Sequence, residues 1–437
     1  MFQKDDLRKA ANLCKEILKK DPKNVDALNL FGAVLTNAGH YDQALNILHH
    51  SLELEGPTSG ALCNYGVALR TLGRMVEASQ AFKKATEANP KQADCWYNLG
   101  QTYRYLKNYT GAIDALRRAT ELDTKNPTYY LNLGNAFLDK ESLDESVEAY
   151  HTALKLEPNN QEVRNNLGVA LRKMGKLDEA VQVFQGILKQ NIENPAAQNN
   201  LGLVLTELQR SSEAESAYNS ALNAVPEYSD ASLNLADLYM QIAAFEKANL
   251  CLSKAILRDP KNPLLMVKRG MVLQKQGRLK EAQEVFTKSS VMEGAEDSTS
   301  TALANVLRDL GEFESAITIL ENLPPERIEY TGTIANLALI YQHQGEIQKA
   351  EVLLRRAINK DPDNPTLHIN LAHTLLSGGN FQDGWKEFQW RLKEPKIQRH
   401  LSSLPGSLWT GNDISRKSVL VLCEQGAGDC FQFIRFL

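Results

Sequence analysis

A small residue returns every 34 positions along this chain: Gly32, Gly66, Gly100, Gly134, Gly168 and Gly202, then Ala236, Gly270, Ala304, Ala338 and Ala372. No insertion shifts the register over these eleven units. A period of this length means one supersecondary unit copied in tandem, each copy burying its apolar face on its neighbours instead of in one central core. The 437 residues therefore do not translate into two or three globular domains. A second small residue follows twelve positions after the first, at Ala44, Ala78, Ala112, Ala180, Ala214, Ala248, Ala282, Ala316 and Ala350. Two small residues so placed let a pair of helices approach closely. Gly39, Gly73, Gly175, Gly277, Gly311, Gly345 and Gly379 fall where the first helix must end in a left-handed residue. Pro22, Pro90, Pro158, Pro226, Pro260 and Pro362 stop the second. Each unit reads as helix A, turn, helix B.

Composition agrees with close-packed helices, since 43% of residues are hydrophobic but only 7% aromatic, which leaves Leu, Ala, Ile and Val to build the core. The formal charge of −4, with Lys and Arg scattered, offers no electrostatic footprint for nucleic acid or an anionic membrane, and neither is expected as a partner. The six cysteines form no CxxC pair and read as small core residues in a reducing compartment. No apolar stretch of about 18 residues occurs, so the expected location is cytoplasmic. His343 and His373 could approach one another, but without an HExxH or a Cys partner no metal is assigned.

The best copy of the unit reads WYNLGQTY, Trp96 to Tyr103, followed by Ala112 and Leu116. It resembles the W-x2-L-G-x2-Y…A-x3-F pattern of the tetratricopeptide repeat family. The resemblance covers residues 5–388: a half repeat at 5–24, consisting of a helix B alone, and eleven 34-residue units from residue 25. It implies an all-α solenoid, a right-handed superhelix whose concave side is lined by helix A. The weakest copies lie between Gly294–Ser300, small and polar, and Pro324-Pro325, which cuts a helix B short; a local bend or loosened packing is expected there.

Two residues before each small residue stands Asn64, Asn98, Asn132, Asn166, Asn200 and Asn234, then Lys268 and Ala302, then Asn336 and Asn370. Asparagine is a poor helix former, so eight amides at eleven equivalent positions need a reason. A carboxamide both donates and accepts, and so can pair with the N–H and C=O of an extended peptide whatever its side chains. Helices ~8–10 Å apart would bring one such amide to about every third peptide residue, given an advance of ~3.3–3.6 Å each. The same amides could instead bond to one another and only hold the units in phase. O-GlcNAc transferases, which this array resembles, carry asparagines at this repeat position and use them to hold substrate polypeptide; the units with Lys268 and Ala302 should grip less or read a side chain. Arg70, Arg104, Arg172 and Arg308, six positions after the ladder, would favour acidic partners or else form a solvated helix end.

Beyond the repeats the pattern changes. Trp385, Phe388 and Trp390 bunch together, Trp385 and Trp390 as a cap for the open end of the array, and 389–415 reads as cap and linker. Ser418 to Cys423 reads as a buried strand, Gln425 to Gly428 as a tight turn, and Asp429 as the opening of a helix, so that 416–437 is a short βα start of an α/β domain. Trp385, Phe388, Trp390 and Arg391, then Trp409 and Gly411, then Glu424, Gln425, Gly426, Gly428, Asp429, Gln432, Phe433, Arg435 and Phe436 resemble the lead-in of a GT-B-type glycosyltransferase domain. That resemblance implies a nucleotide-sugar donor, held mainly by a second half the 437 residues do not contain, and so no catalysis and no cofactor for this chain alone. By analogy Asp429 would act as base at an acceptor hydroxyl; equally it would cap the following helix. Two functions are thus expected of the array: the substrate-recognition arm of a protein glycosyltransferase, or a non-catalytic adaptor for proteins and extended peptides.

Overall fold

The computed structural model describes residues 4–56, 58–292, 297–394, 397, 398 and 402. Every element among them is helical. The A helices run from Val25–Asn37 to Pro365–Ser377, each thirteen residues long and each starting 34 residues after the last. The B helices begin on the same step, from Tyr41–Glu55 to Phe381–Phe388. The expected half repeat is the helix Lys4–Lys20. The strand-turn-helix expected at 416–437, with Asp429, lies outside the described residues, as do Trp409 and Gly411.

Local chemistry sets the helix ends. Asn160 and Asn194 cap helix A through their side chains, accepting from Val163 N and Ala197 N at 3.0 Å each. Pro127, Pro195, Pro263 and Pro365 occupy the first helical position, where a missing N–H costs nothing. Between A and B the residue seven places after the small one takes a positive φ throughout. Seven of these are the glycines expected from sequence, and Lys107, Glu141, Gln209 and Ala243 adopt the same conformation at φ 55–64° without being glycine.

The reason for the small residue is direct. It lies beneath the side chain sixteen positions on, in helix B: a Cβ at Gly66 would fall 2.7 Å from the Phe82 ring, at Gly134 2.5 Å from Tyr150, and at Gly168 2.5 Å from Phe184. Where the small residue is Ala236, Ala304 or Ala338, the residue sixteen on is Leu252, Leu320 or Leu354, each fully buried. In these three repeats the extra methyl on helix A goes with a leucine on helix B, as close packing demands, whereas Ala372 stands opposite Phe388, which is only half-buried. Two B helices lack the second small alanine: one carries Gly384, and in the other Ser146 is buried and its hydroxyl donates to Gly134 O at 2.9 Å.

The chain divides into two compact units, Met1–Ala302 and Leu303–Leu437. In the first, a single hydrophobic cluster runs unbroken from Leu131 to Val272, through five consecutive repeats. The division falls in the region where weakened repeats were expected. There Thr299 Oγ1 and Asn305 Oδ1 are buried without a partner. Helix B shrinks to Phe313–Glu321, and a single turn, Pro325–Ile328, follows it, because Pro324 and Pro325 offer no N–H to continue the ladder. In the second unit Trp390, on the short helix Gln389–Lys393, stacks on buried His368 at 3.7 Å with Lys393 Nζ 3.5 Å from its ring. Trp385 does not share that covering role; it meets Phe388 edge-on and stays 58% exposed.

Candidate functional site

Within the first unit, helix A of each repeat touches helix A of the next, while no two consecutive B helices make a comparable contact among the described residues. Helices closer on one side than the other curve the stack toward that side, so the A helices form its inner face. Thr331–His343 and Pro365–Ser377 are in contact the same way in the second unit.

The asparagines sit along these A helices, half-buried except for Asn132, which is 8% exposed. They are not equivalent. Asn166 Nδ2 donates to Asn135 Oδ1 at 3.0 Å, Asn200 to Asn165 Oδ1 at 2.9 Å and Asn234 to Asn199 Oδ1 at 2.9 Å, each in the preceding repeat. Asn64 reaches Asn29 O at 3.5 Å, whereas Asn98 and Asn132 turn back within their own helices to Asp94 O and Thr128 O, both at 2.9 Å. Lys268 keeps the pattern by other means, its Nζ lying 2.7 Å from Asp237 Oδ1 of the preceding repeat. The oxygens are treated differently. Asn132 Oδ1 accepts from Gln101 Nε2 at 3.3 Å, and Asn166 Oδ1 from Asn165 Nδ2 at 3.5 Å. Those of Asn64, Asn98, Asn200 and Asn234 accept nothing from the described residues, and the amides of Asn336 and Asn370 make no side-chain hydrogen bond there at all.

The bonding between repeats that one of the two sequence readings foresaw is therefore present in the row. The Nδ2 of Asn64, Asn166, Asn200 and Asn234 ties each to the preceding repeat, with longer contacts from Asn98 to Cys63 Sγ at 3.9 Å and from Asn132 to Tyr97 Oη at 3.5 Å, and the carbonyl edge of several remains open. Sequence reading missed the side chains that receive these bonds: Asn135, one place after the small residue of its repeat, and Asn165 and Asn199, three places before theirs. The trace of the last two was the doublets Asn165-Asn166 and Asn199-Asn200, which repeat on the 34-residue step.

The arginine row is mostly neutralised. Arg104 Nε lies 2.5 Å from Asp139 Oδ2 and Arg172 Nη1 2.7 Å from Glu207 Oε1, each acid standing 35 residues on in the next repeat. Arg308 pairs with Asp309 at 2.7 Å. Arg70 instead donates to the neutral Gln101 Oε1 at 2.9 Å, and burial lowers its pKa. His343 and His373 do not meet: His343 stacks on Phe313 and His373 lies edge-on to Phe388. No group of three or more His, Cys, Asp or Glu converges among the described residues. Cys14, Cys63 and Cys95 are buried free thiols, as expected of core cysteines, and Cys251 is half-buried with its thiol pushed up to about 11 by burial. No described helix is long and apolar enough to cross a membrane.

A stack of helix pairs in strict 34-residue register, with an amide-lined inner face, defines a tetratricopeptide repeat protein. The chain belongs to the family described as the cilia and flagella-associated protein 70 C-terminal domain, whose model matches residues 2–233. A general tetratricopeptide repeat model matches 205–268 and 341–384. The protein FlbA of Caulobacter vibrioides is 29% identical over 139 residues, 31% of this chain and 23% of its own length. The chain thus spans about a quarter of the length of the curated relatives it matches. Among solved structures, a tetratricopeptide repeat protein from Parabacteroides merdae superposes with a TM-score of 0.44 at 20% identity, over 57% of this chain and 98% of that one. YrrB, described as a TPR protein with an unusual peptide-binding site, gives 0.37 at 22% identity, over 42% of this chain and 95% of that one.

Proposed function

We propose that this chain is an adaptor that holds extended polypeptide along its A helices, by hydrogen bonds to the peptide main chain. The observation that carries the reading is the open carbonyl edge of Asn64, Asn98, Asn200 and Asn234 in the first unit; within the second unit the unengaged amides of Asn336 and Asn370 offer the same chemistry. A half-buried amide that has already lost part of its hydration, and has a free acceptor, gains most from a ligand that supplies the missing partner. Main-chain N–H groups of a strand-like segment supply it without regard to sequence. Asn132 and Asn166, whose oxygens are already engaged, serve chiefly to fix the repeats.

The test is a titration of unstructured polar peptides into the chain and into a triple variant, Asn98→Ala, Asn200→Ala, Asn234→Ala. Affinity should fall about tenfold or more, as expected for losing several hydrogen bonds of about 1 kcal/mol each, with helicity by circular dichroism preserved. Equal affinities would remove the reading.

A second reading makes the array the substrate arm of an O-GlcNAc-transferase-like enzyme using a nucleotide-sugar donor, with Asp429 as base or helix cap. It rests on the run from Trp385 to Phe436 alone, and the matched family models end at residue 384. Transfer of sugar to a bound peptide, lost in Asp429→Asn, would support it; absence of any donor binding by the protein would leave the adaptor.

A further inference from the structure

Arg70 occupies the same place in its repeat as Arg104 and Arg172, yet it lacks what they have. The residue 35 positions on is Asp139 for Arg104 and Glu207 for Arg172, and each closes an ion pair with the next repeat. For Arg70 that residue is Tyr105, which is 69% exposed. No carboxylate among the described residues lies within 4.0 Å of the Arg70 guanidinium, whose hydrogen bond is the single one from Nη1 to Gln101 Oε1 at 2.9 Å. The remaining edge of the fork is without a partner among the described residues. It borders a groove of about 400 Å³ lined by Arg70, Met75, Gln101, Arg104, Tyr105 and Asp139.

The surroundings hold the guanidinium in place. Its carbon lies 5.8 Å from the centre of the Phe82 ring. Gln101 is itself fixed, its Nε2 donating to Tyr97 Oη at 2.6 Å and to the ladder oxygen of Asn132 at 3.3 Å. The other charges lining the groove, Arg104 and Asp139, satisfy each other. A half-buried cation, its rotamer set and one edge open, is preorganised for a planar anion.

We infer that Arg70 and the groove before Tyr105 form a carboxylate-binding site, which takes an acidic side chain of the polypeptide lying along the A helices. The site rests on the adaptor reading for the source of the carboxylate and adds a sequence preference to it: main-chain bonds along the amide row, and one acidic position beside Arg70. The bound carboxylate stands where Asp139 and Glu207 stand in the paired repeats. Tyr105 and Met75 offer apolar surface to the methylene groups of a glutamate.

The test uses fluorescein-labelled hexapeptides alternating alanine with glutamate, with glutamine, or with phosphoserine, titrated by anisotropy into the full chain. The glutamate peptide should bind about tenfold more tightly than its glutamine twin, the discrimination expected of one charge-assisted bidentate pair. Arg70→Gln should abolish that difference. Tyr105→Glu should abolish it too and raise the melting temperature, because the introduced carboxylate pairs with Arg70 as Asp139 does with Arg104. The asparagine triple variant should weaken both twins alike, which separates this site from the amide row. Equal binding of the twins to the unaltered chain, or a glutamate preference that survives Arg70→Gln, overturns the carboxylate site and leaves the adaptor reading standing. Tight binding of the phosphoserine peptide with no preference for glutamate assigns the groove to phosphate and overturns it equally. No binding of any peptide removes both.

Discussion

Gly202 lies beneath the ring of Tyr218, so close that a Cβ on the glycine would fall 2.6 Å from Tyr218 Cε1. Tyr218 is itself buried, 1% exposed, with its hydroxyl 3.3 Å from Thr206 Oγ1. Gly202→Ala should therefore destabilise the repeat by about 1–3 kcal/mol, the usual cost of overpacking. The double variant Gly202→Ala, Tyr218→Leu recreates the combination found at Ala236 and Leu252 and should recover part of the loss. Urea melts of the three proteins measure it; an additive double variant would show that the two positions do not compete for the same space.

Gln209 and Ala243 hold φ of 59° and 55° in a position that seven other repeats give to glycine. The left-handed conformation costs a side-chain-bearing residue about 1–2 kcal/mol, and glycine's extra unfolded-state freedom returns about 0.5–1. Gln209→Gly should thus stabilise the chain by about 0.5–1 kcal/mol, although such a change destabilises almost any other helix-proximal position. A lower midpoint in urea would contradict the strain.

Tyr239 donates its hydroxyl to Glu215 Oε1 at 2.8 Å, linking helix A of one repeat to helix B of the preceding one, with Lys247 Nζ 3.1 Å from the same oxygen. Burial first, and then the Glu215 bond, raise the phenol well above its ordinary value, while the Tyr239 bond depresses the carboxyl. The two shifts have opposite consequences. The depressed carboxyl contributes stability that is present above the ordinary carboxylate value and lost as pH falls through the folded-state value; the raised phenol contributes stability that is present below the ordinary phenol value and lost as pH rises beyond it. Melting temperature against pH should accordingly fall on both limbs, and Tyr239→Phe should flatten both. Superimposable profiles would show the link to be energetically silent.

Lys268 interrupts the amide row, with its ammonium drawn back to Asp237. Lys268→Asn should restore a carboxamide between Asn234 and the next repeat. Polar peptides long enough to cross this position should bind about threefold to tenfold more tightly, in keeping with about 1 kcal/mol for one added hydrogen bond. Short peptides should gain much less. An equal gain for both would place the effect elsewhere.

Trp390 covers His368, whose Nε2 faces Pro362 O at 2.9 Å and whose Nδ1 faces Glu387 Oε2 at 2.5 Å. Trp390→Ala should expose that buried hydrogen-bonded ring and cost the second unit about 3–5 kcal/mol, the range for large aromatic truncations, with the lower end expected because the indole is only partly buried. Trp385→Ala should cost under about 1 kcal/mol, as expected of an exposed side chain. Comparable losses would restore both tryptophans to a shared cap.

The helix boundaries, the left-handed turns and the burial of the small residues were legible in the sequence because each is a local requirement repeated eleven times in fixed register. A small residue at the close-packed position of all eleven copies, and a glycine at the turn in seven of them, leave a trace that the sequence alone displays. The row of eight asparagines was legible for the same reason, but their bonding was not. Whether Asn200 Nδ2 meets Asn165 or a ligand depends on how far one A helix stands from the next, and that distance is set by the packing of whole repeats. The same spacing decides that Arg104 meets Asp139, 35 residues on, while Arg70 finds Tyr105 there and is left with a neutral amide. What the amino acids determined alone was the unit and its period, since these follow from contacts within about 34 residues. Which polar groups are consumed between units, and which stay open to another molecule, only the assembled stack decides, because a hydrogen bond across repeats needs two helices that are distant in the chain to be placed within about 3 Å of each other's donors and acceptors.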